Sequence, residues 1–140
     1  DMKPVHVPGP VGRASTIKMI RSVLVKGIEA LTAECFSAAT IAGVADEVAT
    51  SLDASQTKNG WEDQAAYNME RMTTHGIRRA AEMREVAITL ADLNIAGRMT
   101  TGTIAWQDQL GNLGLSLLDT KGLEPRLRAI HSALETKKGY

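Results

Sequence analysis

Lys18, Arg21 and Ser22 stand at helical spacing within one segment, and Ser15 lies three residues before the lysine. Steps of three and four set side chains next to one another on a helix surface. Such a stripe suits an anion. Free N–H groups and the dipole at a helix start hold a carboxylate or phosphate there, with Ser15 beside it, and Lys18 one turn further in meets the next oxygen. Desolvation disfavours the charge of a half-buried lysine, which would then exchange a proton near neutral pH. The bland alternative is a solvated basic face, the usual setting for Lys and Arg one turn apart.

A second stretch dense in hydrogen-bonding groups runs from Tyr67 through Asn68, Glu70 and Arg71 to His75, Arg78, Arg79 and Glu82. Arg71, His75 and Arg78 or Arg79 fall at helical spacing, and Glu82 lies within reach of both Arg78 and Arg79. We count His75 and Arg79 among the candidate substrate-binding groups. Internal ion pairing of the arginines, with His75 a packed or solvent-facing imidazole, accounts for the same pattern. His6 and His131 have no convincing partners, and no metal site is expected.

Helices must position all of these groups. The segment from Thr16 to Ala42 carries Ile17, Ile20, Leu24, Ile28, Leu31, Cys35 and Ala38 in steps of three and four without a proline, so it reads as one long helix. Ser15 or Thr16 is placed to cap its first turn, and Gly43 to stop it. A short helix over Ala45–Ala54 follows, then the polar turn SQTKNG, then a helix over Glu62–Leu93 that Gly76 could kink or divide and Asn94–Gly97 ends. Further helices are expected over Thr100–Leu118 and from Glu124 and Pro125 to about Thr136. No credible strand is left. The fold class is therefore all-α, a helical bundle built around a long N-terminal helix, with frequent Ala and Gly allowing close helix contacts.

The composition narrows the function classes. Sixteen basic and sixteen acidic residues cancel, which gives no overall field toward nucleic acid or an anionic membrane, so neither is expected as a partner. No apolar run approaches the roughly 20 residues that span a bilayer, and the opening DMKPVHVPGP is unlike a signal peptide. The single cysteine, Cys35, suits a reducing compartment, and a cytoplasmic location is expected. The first ten residues contain four Pro or Gly and no starter Met. Residues 1–12 thus read as an interdomain linker ahead of a helical domain over 13–140, with another half missing.

The stretch GPVGRASTIKMIRSVLVKGIEALTAECFSAA resembles the helical C-terminal domain of the β-hydroxyacid dehydrogenase and 6-phosphogluconate dehydrogenase superfamily. Gly9 and Gly12 match the Gly-rich turn that opens the superfamily's interdomain helix, and Lys18 matches its catalytic lysine. Arg21 and Ser22 occupy the positions of its asparagines. KMIRS, KGIEAL, YNMERM and HGIRRAAEMRE are similar to one branch of phosphogluconate-dehydrogenase-like NAD(P)-dependent oxidoreductases. Where better-known members have a lysine–aspartate pair, this sequence has His75 and Gly76, so a second lysine is not carried over.

The resemblance implies a division of labour. An N-terminal Rossmann domain, absent from this chain, would hold NAD or NADP; no GxGxxG occurs here, and by itself the chain should not transfer hydride. Lys18 would exchange a proton with the hydroxyl of a small anionic, hydroxyacid-type substrate. Ser15 would hold the substrate carboxylate, and Arg21 and Ser22 would reshape the pocket, with Arg21 meeting an extra anionic group or, equally, a salt bridge to Glu82. A homodimer is also expected from the resemblance and from the apolar surface of a half-enzyme. A non-catalytic helical interaction module and an imine-reducing relative are the other readings.

Overall fold

The structure is a computed structural model and describes residues 9–138. His6 and most of the linker read from the sequence lie outside the described residues. Five helices follow one another: α1 over Arg13–Ile41, α2 over Ala45–Ser55, α3 over Trp61–Asp92, α4 over Arg98–Gly111 and α5 over Leu123–Lys137. No strand is present among the described residues, and the all-α class stands.

The long first helix starts earlier than its sequence suggests. Gly12 is the N-cap, with φ 93° and no side-chain cap, so neither Ser15 nor Thr16 has the capping role. Thr16 lies inside the first turn, where its hydroxyl donates to the Gly12 carbonyl at 3.1 Å alongside its own amide at 2.9 Å. At the other end Gly43 takes φ 75°. The amides of Gly43 and Val44 then donate to the carbonyls of Thr40 and Ala39 at 3.1 and 2.9 Å, satisfying two of the orphan acceptors of the last turn. Asn94, with φ 58°, ends α3 by the same pair of bonds, to Ala91 and Leu90.

Gly76 neither kinks nor divides α3, which runs unbroken for 32 residues. It serves packing instead. A Cβ at Gly76 would stand 2.2 Å from the Gln107 carbonyl and 2.8 Å from Gly111 Cα, and one at Gly111 would stand 2.5 Å from the Ile77 amide nitrogen. The two glycines thus bring the backbones of α3 and α4 together, with fully buried Ala80 one turn on. The expected helix over Thr100–Leu118 ends at Gly111 instead. Asn112 turns its side-chain amide back onto the Asp108 carbonyl at 2.7 Å, and the chain folds over so that Leu117, wholly buried, joins Leu110 and Ile130 in the core. Apolar burial of Leu117 outweighs continuing the helix into solvent. Met69, Met72, Leu113, Leu115 and Leu134 surround that cluster.

Arg126 ties α5 to the rest. Its guanidinium donates to the carbonyls of Thr120 at 2.7 Å and Ala66 at 2.6 Å. The helix α1 is held differently, since it meets α2 and α4. From Gly9 to Ala33 every residue is exposed except half-buried Ser22 and Gly27. The first half of α1 therefore projects from the bundle.

Candidate functional site

Lys18, Arg21 and Ser15 lie on that projecting half of α1, all exposed. The half-buried lysine expected from the sequence is not formed within the chain, because no other helix packs over this part of α1. Ser22 is half-buried and turns its hydroxyl inward, donating to the Lys18 carbonyl at 2.9 Å while the Lys26 ammonium approaches its oxygen at 3.5 Å. Arg13, Lys18, Arg21 and Lys26 make this half of the helix wholly basic, and Glu29 and Glu34 make its second half wholly acidic.

His75 and Arg79 sit on α3, both half-buried. Among the described residues no hydrogen bond or ion pair joins them to Lys18, Arg21 or Ser22, so the structure leaves the two groups of candidate residues on separate helices. The proposed bridge from Arg21 to Glu82 is not made. Glu82 accepts instead from Arg78 at 2.8 Å, one turn along the same exposed face. Partial burial, and then the nearby Arg71, Arg78 and Arg79 charges, hold the His75 imidazole below its usual range, with Glu70 pulling weakly the other way.

Beside His75 the helix carries a compact polar group. Thr74 donates to the buried Glu70 carboxylate at 2.8 Å, Arg71 lies 4.0 Å from that carboxylate and its guanidinium carbon stands 5.9 Å from the centre of the Tyr67 ring. The Arg71 Nε is buried and has no partner.

The sequence reading missed Glu34. From α1 its carboxylate accepts from the amides of Met99 and Thr100 at 2.9 and 2.8 Å and from the Thr100 hydroxyl at 2.7 Å. It thereby caps α4, whose own N-cap Gly97 supplies no side chain. Burial pushes this carboxyl up, but the bonds from Met99 and Thr100 and the Arg98 amide outweigh it and hold the group below the usual carboxylate range. An acid flanking the apolar set between Leu31 and Cys35, and a helix start with no capping side chain, were the available signals. They are 65 residues apart in the chain. Glu34 also borders an apolar groove of about 390 Å³ walled by Leu31, Cys35 and Ala38 of α1 and by Met83, Val86 and Leu90 of α3.

A family model described as a domain of unknown function (DUF1932) matches residues 39–110. The chain belongs to that family. The match covers the end of α1 and all of α2 and α3 and nearly all of α4, so it contains His75 and Arg79 of this DUF1932 chain and leaves Ser15, Lys18, Arg21 and Ser22 outside. The family is compatible with the C-terminal domain of a dehydrogenase-like protein. No curated protein and no solved structure matches the chain. Among the described residues there is neither a strand nor a Gly-rich turn leading from one into a helix. No group of three His, Cys, Asp or Glu that could hold a metal occurs among them. No described helix is long and apolar enough to cross a membrane.

Proposed function

We propose that this chain is the C-terminal substrate-binding and dimerisation domain of an NAD(P)-dependent oxidoreductase acting on a hydroxyacid-type substrate. The observation that carries the reading is the family match over residues 39–110, and the projecting basic half of α1 fits it: Lys18 is free to face a cleft that another domain completes. In that cleft Lys18 takes the hydroxyl proton of the substrate, and Ser15 and Arg21 attract its anionic groups. The hydride acceptor lies outside this chain. Covering by a second domain would also supply the desolvation that Lys18 lacks here.

The test is turnover of small hydroxyacids with NAD or NADP by the full-length parent protein. Lys18→Ala is expected to lower kcat by about a thousandfold or more with folding intact, and Lys18→Arg nearly as far, because its guanidinium does not give up a proton. Unchanged turnover removes the catalytic role.

The exposed apolar residues of α1, Met19, Ile20, Val23 and Leu24 among them, favour a second reading, a helical interaction module without chemistry of its own. In that case Lys18→Ala leaves every activity of the parent protein unchanged, whereas apolar-to-charged changes on α1 abolish association.

A further inference from the structure

The half of α1 that carries Lys18 is anchored from its far end. Among the described residues Glu34 is the one side chain of α1 that hydrogen-bonds to another helix. Thr16, Ser22, Lys26 and Thr32 bond within α1 or to its own N-cap. Ala39 is the one buried residue of the helix, and the chain turns away at Gly43 soon after it. Toward α3 the support is thin: Leu31, Cys35 and Ala38 face Met83, Val86 and Leu90 across the apolar groove.

Glu34 is placed to fix a direction as well as a position. Its two oxygens are used separately, one by the Met99 amide and the other by the amide and hydroxyl of Thr100. A carboxylate gripped through both oxygens resists rotation, and the positive end of α4 favours its charge. Thr100 is buried, and α4 is itself seated on α3 by the close approach of Gly76 and Gly111. At the helical rise, Glu34 lies about 8 Å along α1 from Ala39, and Lys18 about 32 Å. With the turn after Ala39 as pivot, a displacement of about 1 Å at Glu34 becomes about 4 Å at Lys18. A misplacement of about 1 Å can cost on the order of a hundredfold in rate.

We infer that Glu34 is a positioning residue for Lys18: its grip on the start of α4 sets the direction of α1, and so fixes where Lys18 stands relative to His75 and Arg79. The inference rests on the proposed role of Lys18 and deepens it. The two groups of candidate residues share no hydrogen bond or ion pair, and α1, Glu34, α4 and α3 hold them in one frame. Glu34 acts there without touching substrate.

Distances between spin labels on the 140-residue chain test the grip without reference to activity. One pair stands on α1 and α3, at Met19→Cys and Ile88→Cys in a Cys35→Ser background, diluted with unlabelled chain so that only distances within one copy are read. A control pair on α3 and α5, Ile88→Cys with Glu135→Cys, reports on the rest of the bundle. Glu34→Ala is expected to shift or broaden the α1–α3 distance by about 4 Å or more and to leave the control unchanged. Glu34→Gln, which keeps the volume, should move it the same way by less, and it decides the question if Glu34→Ala does not fold. An unmoved α1–α3 distance, or a control that moves equally, overturns the inference. In the full-length parent protein Glu34→Gln is expected to lower kcat/KM at least tenfold, and Glu34→Gln with Lys18→Ala to fall no further than Lys18→Ala alone. Additive losses overturn the positioning role even where the distances move. Unchanged turnover in Lys18→Ala removes the catalytic reading instead, and the distances still show whether Glu34 directs α1.

Discussion

At the residue scale the clearest structural duty belongs to Glu34 and not to any of the polar residues that invite a catalytic reading. Its carboxylate closes the open end of α4 through two amides and a hydroxyl. Glu34→Gln keeps the shape but loses the charge that these donors favour, and is expected to lower stability by about 1–2 kcal/mol in urea unfolding at pH 7. Because its pKa is lowered in the folded state, the ionised group stabilises the fold above its unfolded pKa, and that contribution fades as pH falls through the folded value. Wild-type stability should therefore drop more steeply than that of Glu34→Gln as pH falls through and below the ordinary carboxylate range; parallel curves would remove Glu34 from the acid response. His75 offers a second test. Arg79 is one of three arginines that depress its pKa, so Arg79→Gln is expected to raise the midpoint of the His75 ring-proton titration followed by NMR, and an unmoved midpoint would remove Arg79 from the causes.

At the element scale the α3–α4 crossing is the joint on which the bundle depends. Gly76 and Gly111 let two backbones approach closer than any pair bearing Cβ atoms, and the atoms a Cβ at Gly76 would strike belong to backbone rather than to flexible side-chain ends. Gly76→Ala should improve the intrinsic helix propensity of α3 by about 1 kcal/mol. The overpacking it causes costs about 2–3 kcal/mol, and the crossing wins. A net loss of stability with α3 still helical is the expected result of thermal unfolding by circular dichroism; a gain would mean that the two helices part without cost. The same comparison explains why a glycine in mid-helix reads from sequence as a hinge. Spacing shows the missing side chain but not the second backbone that fills its place.

At the scale of the whole molecule the bundle is lopsided. Leu110, Leu117 and Ile130 anchor a core shared by α3, α4, the loop that follows α4, and α5, while the first half of α1 has almost no packing of its own within the chain. Helices stripped of tertiary packing are marginal in water at this length. Amide hydrogen exchange is expected to divide the protein accordingly: slow exchange in α3 around Ala80 at every protein concentration, and exchange over residues 13–28 that slows as concentration rises and copies associate. Concentration-independent, rapid exchange over residues 13–28 would mean that no second copy covers them.

The sequence by itself determined the all-α class, the long first helix, the stops at Gly43 and Asn94 and the short second helix, because helical periodicity and left-handed C-terminal residues are local properties. It also placed Lys18, Arg21 and Ser22 on one helix, and His75 and Arg79 on another. Tertiary structure decided the rest. The cap on α4 comes from a residue 65 positions away, Gly76 is explained by Gly111 on another helix, and α4 stops short because Leu117 is worth more in the core than in an extended helix. The exposure of Lys18 follows from what α1 does not touch, and one helix's spacing carries no record of its neighbours.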